Sequence, residues 1–300
     1  MQQIVPNFWF HKNAEEAGDF YASVLPKTTA EVTGRYPTEG LQDFQRDFAG
    51  EPVTVDVTID GFIVRLLNAG GEFTPNPSLS IFLNFDPLFF EANPEEAREA
   101  LDATWAGLAE GGSVLMPLDE YPFSRRYGWV QDRYGVSWQL TLSDVEGEPR
   151  PFVIPALMFA GSAQNKAEEM TDFYRSVLPD SAEGSKFRYG TPTGPASADA
   201  LMYSEMKLCG QWFAAMDSGV EQPWSFTPGV SLQLSCHGQE EIDRIWEAFS
   251  ANPDNEVCGW LTDKAGLSWQ IVPDNMDELL ARPNGFQNLM GMKKLVIDEF

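Results

Sequence analysis

The chain has 300 residues, of which 43% are hydrophobic and 22% charged, a composition typical of a folded protein and not of a disordered one. Its formal net charge of −25 argues against nucleic acid and anionic membranes as partners, because both bind to positive surfaces. The first residues carry neither a basic segment nor a long apolar run, so we expect no signal peptide, no membrane anchor and a cytoplasmic location. Three cysteines, none of them in a Cys-x-x-Cys motif, are typical of buried reduced thiols: Cys209, Cys236 and Cys258.

The predicted elements at the start of the chain form a compact module. Residues 4–10 are apolar and predict a strand. A helix follows that Asn13 can cap and Pro26 ends, with one apolar face formed by Ala17, Phe20, Tyr21 and Val24. Residues 53–68 predict two strands joined at Asp60-Gly61, which is a strong signal for a two-residue hairpin turn. The order of this module is therefore strand, helix and strand pair.

A second module of the same kind follows in the first half. Residues 78–85 predict a strand, and a helix begins at Pro94 and ends at Gly111-Gly112. The second half repeats both modules, so the pattern β-α-β-β(-β) occurs four times along the chain. We predict an α+β fold in which two modules form a domain with an open, curved, mixed sheet. Helices lie on its outer side, and its concave face is a natural pocket.

Two pairs of nearly identical segments show that the chain is a tandem duplication. Residues 132–140 read DRYGVSWQL, and residues 263–271 read DKAGLSWQI. Residues 19–26 read DFYASVLP, and residues 172–179 read DFYRSVLP. In the first pair, Asp and Gly bracket a turn and apolar residues continue it as a buried strand. Internal repetition of this length is the primary evidence for domain organisation.

The duplication predicts two domains, residues 1–148 and residues 149–300, each of ordinary single-domain size. The offset between copies falls from 153 to 131 residues, so the second copy is 22 residues shorter in this region. We expect the extra residues of the first copy in a hairpin or loop around residues 117–127, over its concave face. We also expect the halves to pack as an internal pseudo-dimer, and a further homodimer stays open.

The helix segments from Ala14 to Tyr21 and from Ala167 to Tyr174 resemble the signature of the vicinal oxygen chelate (glyoxalase/bleomycin-resistance) superfamily. The sequence CGWL at residues 258–261, which leads into SWQIVP, and the MKK at residues 292–294 are more specific. They resemble the PhnB-like group that is often labelled 3-demethylubiquinone-9 3-methyltransferase. The resemblance implies the superfamily fold over nearly the whole chain, but no particular activity.

In metal-dependent relatives, the resemblance implies ligands on the first and last strands of each module, usually His and Glu. The last-strand position corresponds to Gln139 and Gln270, which are neutral amides. The two histidines, His11 and His237, lie beyond strand ends in different halves. A tightly bound divalent ion needs about three ionised or imidazole ligands, so we predict no metal and no other cofactor, with a weak oxygen site as the alternative.

Several residues have two interpretations. Gln139 and Gln270 are either hydrogen-bonded core amides or side chains that point into a pocket. Arg126 either lies in a solvated loop or binds an anion at the pocket rim. The tryptophans either belong to the core or line a pocket for a flat apolar ligand. The predicted pocket residues are Trp9, Asn68, Arg126, Trp129, Trp138, Gln139, Asp217, Gln233, Trp260, Trp269 and Gln270.

Three functions fit these patterns. The first, which the missing His and Glu ligands favour, is metal-free binding of a small molecule of unknown identity in the concave pocket. The second is a metal-assisted lyase, isomerase or dioxygenase of the superfamily, and the third is a domain kept for assembly. Methyl transfer is disfavoured, since no Gly-rich S-adenosylmethionine motif and no parallel α/β pattern occur in the sequence.

Overall fold

The computed structural model describes residues 2–143 and 149–300. Its elements form four successive modules and a C-terminal tail. The first half contains β1 (Ile4–Phe10), α1 (Ala14–Val24), β2 (Thr28–Arg35), β3 (Pro52–Ile59), β4 (Phe62–Asn68), β5 (Leu79–Phe85), α2 (Pro94–Ala109), β6 (Ser113–Tyr121), β7 (Ser124–Gln131) and β8 (Ser137–Leu142). The second half contains β9 (Val153–Phe159), α3 (Ala167–Val177), β10 (Ala182–Arg188), β11 (Leu201–Leu208), β12 (Gln211–Asp217), β13 (Val230–Cys236), α4 (Gly238–Phe249), β14 (Trp260–Thr262) and β15 (Ser268–Pro273), followed by α5 (Met276–Leu280) and α6 (Gly285–Gly291).

The predicted fold class is confirmed: the chain is α+β, with two curved mixed sheets built from repeated modules. The 7-stranded sheet has the order β14-β15-β13-β1-β4-β3-β2, and the 8-stranded sheet has the order β10-β11-β12-β9-β5-β8-β7-β6. Parallel and antiparallel pairs occur in both sheets. The fourth module is shorter than the others, because a single three-residue strand, β14, lies between its helix and β15.

The pairing of the modules differs from the expectation that the two modules of one half share a sheet. The first module pairs with the fourth through β1 and β13, where Asn7 lies opposite Ser231. The second pairs with the third through β5 and β9, where Ser80 lies opposite Ala156. Each sheet therefore contains strands of both halves, and the halves form an internal pseudo-dimer with shared sheets. The limits 1–148 and 149–300 remain a prediction about the sequence repeat.

A buried side-chain network explains the repeated segments. Asp132 Oδ2 accepts hydrogen bonds from the Tyr21 hydroxyl at 2.8 Å and from Trp138 Nε1 at 2.7 Å. Its Oδ1 accepts the backbone N–H groups of Tyr134 at 2.8 Å and Val136 at 3.1 Å, which fixes the turn before β8. Since Tyr21 lies on α1 of the first module, the network ties together two modules that belong to different sheets.

The second half repeats this network. Asp263 accepts from the Tyr174 hydroxyl at 2.6 Å and from Trp269 Nε1 at 2.9 Å. The four aromatic side chains are at most 1% exposed and belong to one hydrophobic core between the sheets and their helices. The tryptophan of each repeated segment is therefore a core residue that anchors a module.

The predicted turn and the predicted extra hairpin are both present. Asp60 and Gly61 have φ of 47° and 85°, as a hairpin turn with two left-handed residues requires. The long β6–β7 hairpin at the edge of the 8-stranded sheet, with bulges near Met116 and Asp119, contains part of the extra residues of the first half. The rest lie in the longer connection between β5 and α2 and in α2 itself, which is longer than α4. No helix in the described ranges is both long and apolar enough to span a membrane.

Candidate functional site

Each sheet has one face against the helices and one face turned away from them, called here the inner face. On β1, Phe8 and Phe10 belong to the core on the helix side, so Asn7 and Trp9 lie on the inner face. On β7, Gly128 lies against Trp105 of α2, and its neighbours in the strand face inward. The two inner faces are the places where a ligand can meet several strands at once.

An ion pair lies on the inner face of the 7-stranded sheet. Arg65 on β4 lies directly opposite Asp56 on β3, and its Nε and Nη2 donate to the two carboxylate oxygens at 2.6 and 2.7 Å. Nη1 of the same guanidinium donates to Gln233 Oε1 on β13 at 3.0 Å. Both charged side chains are largely buried, so the pair is charge-neutral and holds the amide of Gln233 in a fixed orientation.

Two neighbouring amides on this face retain unused acceptor atoms. Asn7 is 1% exposed and its Nδ2 donates to Val5 O at 2.8 Å, but its buried Oδ1 has no hydrogen-bond partner. Gln270 on β15 donates from Nε2 to Ser231 Oγ at 3.0 Å, and no described residue donates to its Oε1. Since Ser231 lies opposite Asn7, both amides adjoin the same serine. A buried acceptor without a donor costs free energy, and a bound donor removes that cost.

Aromatic rings border the two amides. Trp9 lies two residues from Asn7 on β1, and Trp260 lies opposite Gln270 across β14 and β15. The rings of Trp9 and Trp260 meet edge to face with centroids 6.1 Å apart, and Phe73 contacts Trp9 at 5.3 Å. We call the group formed by Asn7, Trp9, Ser231, Gln233, Trp260 and Gln270 the amide site.

The C-terminal tail lies next to the amide site. Backbone carbonyls of Met292 and Lys293 accept the N–H groups of Cys258 at 2.8 Å and Gly259 at 2.7 Å, just before β14. Met290 of α6 contacts Cys258 at 3.8 Å, and Phe286 of α6 contacts Tyr36 beyond the end of β2. Because β14 and β2 are the two edge strands of the sheet, α6 links its opposite edges.

The inner face of the 8-stranded sheet has the same plan with different residues. Ala156 and Ala214 take the register positions of Asn7 and Arg65, and Glu205 takes the position of Asp56. Gln139 is 2% exposed and is bonded at both ends of its amide: it accepts from the Tyr127 hydroxyl and donates to Ser80 Oγ, each at 2.7 Å.

This second inner face is also more apolar. A cluster of aromatic and methionine side chains covers its centre, including Tyr127, Trp129, Met158, Met216, Trp212 and Tyr203. Glu205 is paired with Arg150 at 3.0 Å, and that guanidinium lies over the ring of Trp212. The two inner faces therefore differ in character: that of the 7-stranded sheet is polar, and that of the 8-stranded sheet is aromatic.

The structure separates the predicted pocket residues into three groups. On the inner face of the 7-stranded sheet it brings together Trp9, Gln233, Trp260 and Gln270. On the inner face of the 8-stranded sheet it places Trp129 and Gln139. The remaining five lie on the helix side: Asn68, Arg126, Trp138, Asp217 and Trp269.

The helix-side residues have structural partners there. Arg126 pairs with Asp102 of α2, and the neighbouring Tyr127 takes the inward position instead. Asp217 accepts the backbone N–H groups of Ala167 at 3.2 Å and Leu201 at 3.0 Å, and burial raises its pKa although these bonds oppose the shift. The structure does not bring these side chains to either inner face.

Sequence reasoning missed Asp56 and Arg65 as site residues, although a usable signal was present. The hairpin turn at Asp60-Gly61 fixes the register of its two strands, and that register places Asp56 directly opposite Arg65. Opposite charges at facing positions inside two apolar strands predict an ion pair. Asn7 gave a weaker signal, as one amide among the apolar residues of β1.

The described residues contain no group of three or more His, Cys, Asp or Glu side chains that could hold a metal ion. His11 and His237 are exposed; His11 contacts Ala69 O, and His237 pairs with Asp274 at 2.9 Å. Burial raises the pKa of the Cys258 thiol to about 11, so the thiol is protonated at neutral pH. The potential ligands at the amide site itself are neutral amides and a hydroxyl.

An open depression of about 380 Å³ lies on the helix side, beside the start of α3. Its carboxylates include Glu168 and Asp172, which pair with Lys186 at 3.4 and 3.2 Å. The Arg188 guanidinium lowers the pKa of Glu168, and Lys186 makes a smaller contribution in the same direction. These acids are therefore part of a surface ion-pair network.

The chain is similar to several proteins of known structure. A Bacillus cereus PhnB protein, titled a 3-demethylubiquinone-9 3-methyltransferase, is 31% identical over 47% of this chain and 100% of its own length, with a TM-score of 0.39. A Pseudomonas aeruginosa protein is 24% identical over 48% of this chain and 98% of its own, with a TM-score of 0.38. Maize glyoxalase I is 10% identical and covers 92% of this chain and 94% of its own, with a TM-score of 0.52, which shows a shared fold alone.

No curated protein matches the chain. The model of the family described as 3-demethylubiquinone-9 3-methyltransferase matches twice, over residues 2–141 and 151–272. The two matches coincide with the two copies of the repeat and leave the C-terminal tail outside. The chain therefore belongs to this PhnB-like family, carries the family's unit twice and shares the fold of glyoxalase I.

Proposed function

We propose that the protein binds a small organic molecule at the amide site, without a metal ion. The observation that carries this proposal is the buried Oδ1 of Asn7, which has no hydrogen-bond partner. Buried polar atoms in folded proteins are nearly always paired, and unpaired ones mark places where a ligand or water supplies the missing partner. Asn7 lies where four strands meet beside two tryptophans, which is the setting of a binding site.

The surroundings of Asn7 support a preformed site. The Asp56–Arg65 pair fixes Gln233, and Ser231 fixes Gln270, so the amides are oriented before a ligand arrives. Preorganised groups lose little conformational entropy on binding. The half-buried rings of Trp9 and Trp260 supply apolar area for a flat molecule.

The chemistry of the site argues against a metal. The oxygen ligands available are neutral, and the charges of the adjacent Arg65 and Asp56 cancel, so the site supplies no net negative charge for a cation. A carboxylate would offset the cost of dehydrating a divalent ion, whereas an amide does not. We include a cytoplasmic location in the proposal, because the three cysteines are free. Both sheets are completed within one chain, so the site requires no second copy.

The family description names a methyltransferase, but the geometry offers no support for that chemistry. S-adenosylmethionine sites of the common kind lie at the edge of a parallel α/β sheet, beside a glycine-rich turn. The sheets here are mixed, and the amide site lies on a sheet face. The geometry of the amide site therefore favours binding over methyl transfer.

A fluorotryptophan experiment tests the proposal. The protein labelled with 5-fluorotryptophan is screened by ¹⁹F NMR against a library of small flat molecules, with the resonances assigned by Trp9→Phe and Trp260→Phe. We expect bound compounds to shift the signals of Trp9 and Trp260 and not those of the core residues Trp138 and Trp269. The proposal is wrong if every compound leaves Trp9 and Trp260 unshifted, or if zinc, nickel, manganese or iron copurifies at one equivalent beside Gln270.

A further inference from the structure

We infer that the ligand of the amide site is an uncharged aromatic molecule that carries an N–H donor group of the primary-amide type. This inference rests on the proposed function and names the class of ligand. It follows from which donor and acceptor atoms of the site already have a hydrogen-bond partner and which do not. Within the described part of the chain, the amide site offers two free acceptors, one free donor and an apolar wall.

The acceptors come from Asn7 and Gln270. Asn7 Oδ1 is buried and unpaired, and Gln270 Oε1 receives no donor from the described residues. Both side chains adjoin Ser231, so one NH₂ group with two hydrogens can bond to both oxygens. The amide site therefore selects a ligand that donates.

The other copy shows that this shortage of donors is specific to one face. Gln139 takes the same position as Gln270, but its Oε1 already accepts a hydrogen bond from the Tyr127 hydroxyl. The residue that corresponds to Tyr127 is Cys258, since each lies two residues before the tryptophan of its strand. The protonated thiol of Cys258 is only a weak hydrogen-bond donor. Similarly, Ala156 replaces Asn7 on the second inner face. The 8-stranded sheet thus lacks both acceptors.

The donor of the site is Gln233. Its Oε1 accepts from Arg65, which turns Nε2 away from the guanidinium, and Nε2 donates to no described residue. A ligand carbonyl beside the NH₂ group can accept from it. A primary amide carries both groups on one planar unit, and Trp9, Trp260 and Phe73 contact the ring that bears it.

An anionic ligand fits poorly. A carboxylate would place its oxygens against the oxygens of Asn7 and Gln270, and Arg65 is already neutralised by Asp56. The net charge of −25 also disfavours the approach of anions. The amide site therefore discriminates between an amide and an acid of the same shape.

Three matched compounds test the inference: benzamide, N,N-dimethylbenzamide and benzoate, each titrated by ¹⁹F NMR into fluorotryptophan-labelled protein. We expect benzamide to bind at least about tenfold more tightly than either analogue, because each analogue leaves Asn7 Oδ1, which is buried, and Gln270 Oε1 without a donor. Equal binding of dimethylbenzamide, or tighter binding of benzoate, overturns the ligand class while leaving the site in place. If none of the three compounds shifts the signals of Trp9 and Trp260, the proposed ligand class is also wrong. Binding at the amide site is wrong only if no compound of the wider screen shifts these signals.

Two variants locate the effect. Asn7→Ala copies the residue that the second sheet uses at this position, and Gln270→Met removes the amide at nearly constant length. Each is expected to reduce the preference for benzamide to about threefold or less, with thermal stability measured in parallel. Asn84→Ala, a buried asparagine on the other inner face, is the control and should leave the preference unchanged. An undiminished preference in both site variants contradicts the assignment of the two acceptors.

Discussion

Two buried aspartates show how one residue can hold a repeated segment in place. Asp132 and Asp263 each bind a tyrosine hydroxyl and an indole N–H through one oxygen, and two backbone N–H groups through the other. The sequence reveals this repeat of Asp and Trp but not the purpose of the tryptophan. Strand alternation places Trp129 and Trp138 on opposite faces of the sheet. The alternation alone does not show which face carries the helices, and therefore not which tryptophan belongs to the core.

Removal of one tyrosine hydroxyl tests this network. Tyr21→Phe and Tyr174→Phe should each lower the free energy of unfolding by about 1–3 kcal/mol, because a buried carboxylate loses a charge-assisted hydrogen bond. Urea unfolding measures the change. Tyr134→Phe, whose hydroxyl bonds Glu16 at the surface, is the control and should cost less than about 0.5 kcal/mol. A cost for Tyr134→Phe as large as that for Tyr21→Phe would contradict this view of the network.

The pH dependence of stability provides a second test at the residue scale. Burial raises the pKa of Asp132 above its ordinary 3.8, although the bonds from Trp138 and Tyr21 oppose the shift. Between 3.8 and the higher folded-state pKa, the folded protein binds more protons than the unfolded chain, so this group contributes less stability as the pH rises. Asp132→Asn lacks this titration. The difference in unfolding free energy between wild type and variant should therefore fall as the pH rises from about 3 to about 6. A difference that grows would mean that the pKa is lowered.

At the scale of elements, the sequence predicted the central strands, the four main helices and the extra hairpin, but not the edge strands β2 and β10. β2 and β10 alternate between exposed and partly covered residues that include many polar side chains, so they lack the apolar signal of a central strand. The shortness of β14 was also not predictable, because its residues match those of the longer β7. The C-terminal tail had no counterpart in the first half from which it could be inferred.

The tail is expected to stabilise β14 and the amide site beside it. Leu279 and Leu295 are fully buried, and the tail carbonyls bind the N–H groups of Cys258 and Gly259. Deletion of residues 276–300 should lower the free energy of unfolding by about 3 kcal/mol or more, since it removes two buried leucines. It should also remove the hydrogen-exchange protection of the two amides. Glu299→Ala, at an exposed position of the tail, should have no such effect. Unchanged protection at Cys258 after the deletion would show that the tail does not stabilise this turn.

At the scale of the whole molecule, the sharing of each sheet by both halves could not be predicted from the sequence. Alternation shows that a strand has a buried face, but not which strand lies beside it. Here β1 pairs with β13 and β5 pairs with β9, so the half formed by residues 1–143 has two strands whose antiparallel partners lie in the other half. In the folded chain, the two copies therefore share both sheets.

A split chain tests this interdependence. Residues 1–146 and 147–300, each produced alone, should be unfolded or self-associated, because β1 and β5 or β13 and β9 would be left as open edges. Co-expression should give a 1:1 complex with the circular dichroism spectrum of the intact chain. Light scattering and circular dichroism measure both outcomes. A monomeric, fully folded half would contradict the view that the sheets require both copies.

The central claim is that the inner face of the 7-stranded sheet binds a donor-bearing small molecule through Asn7 and Gln270. A crystal structure of the protein soaked with benzamide tests it most directly. The account predicts one benzamide against Trp9 and Trp260, with its nitrogen within about 3.2 Å of Asn7 Oδ1 and Gln270 Oε1. Benzamide bound only on the aromatic face around Trp129 and Trp212, or a metal ion or ordered water that occupies the two oxygens and resists displacement, would contradict it.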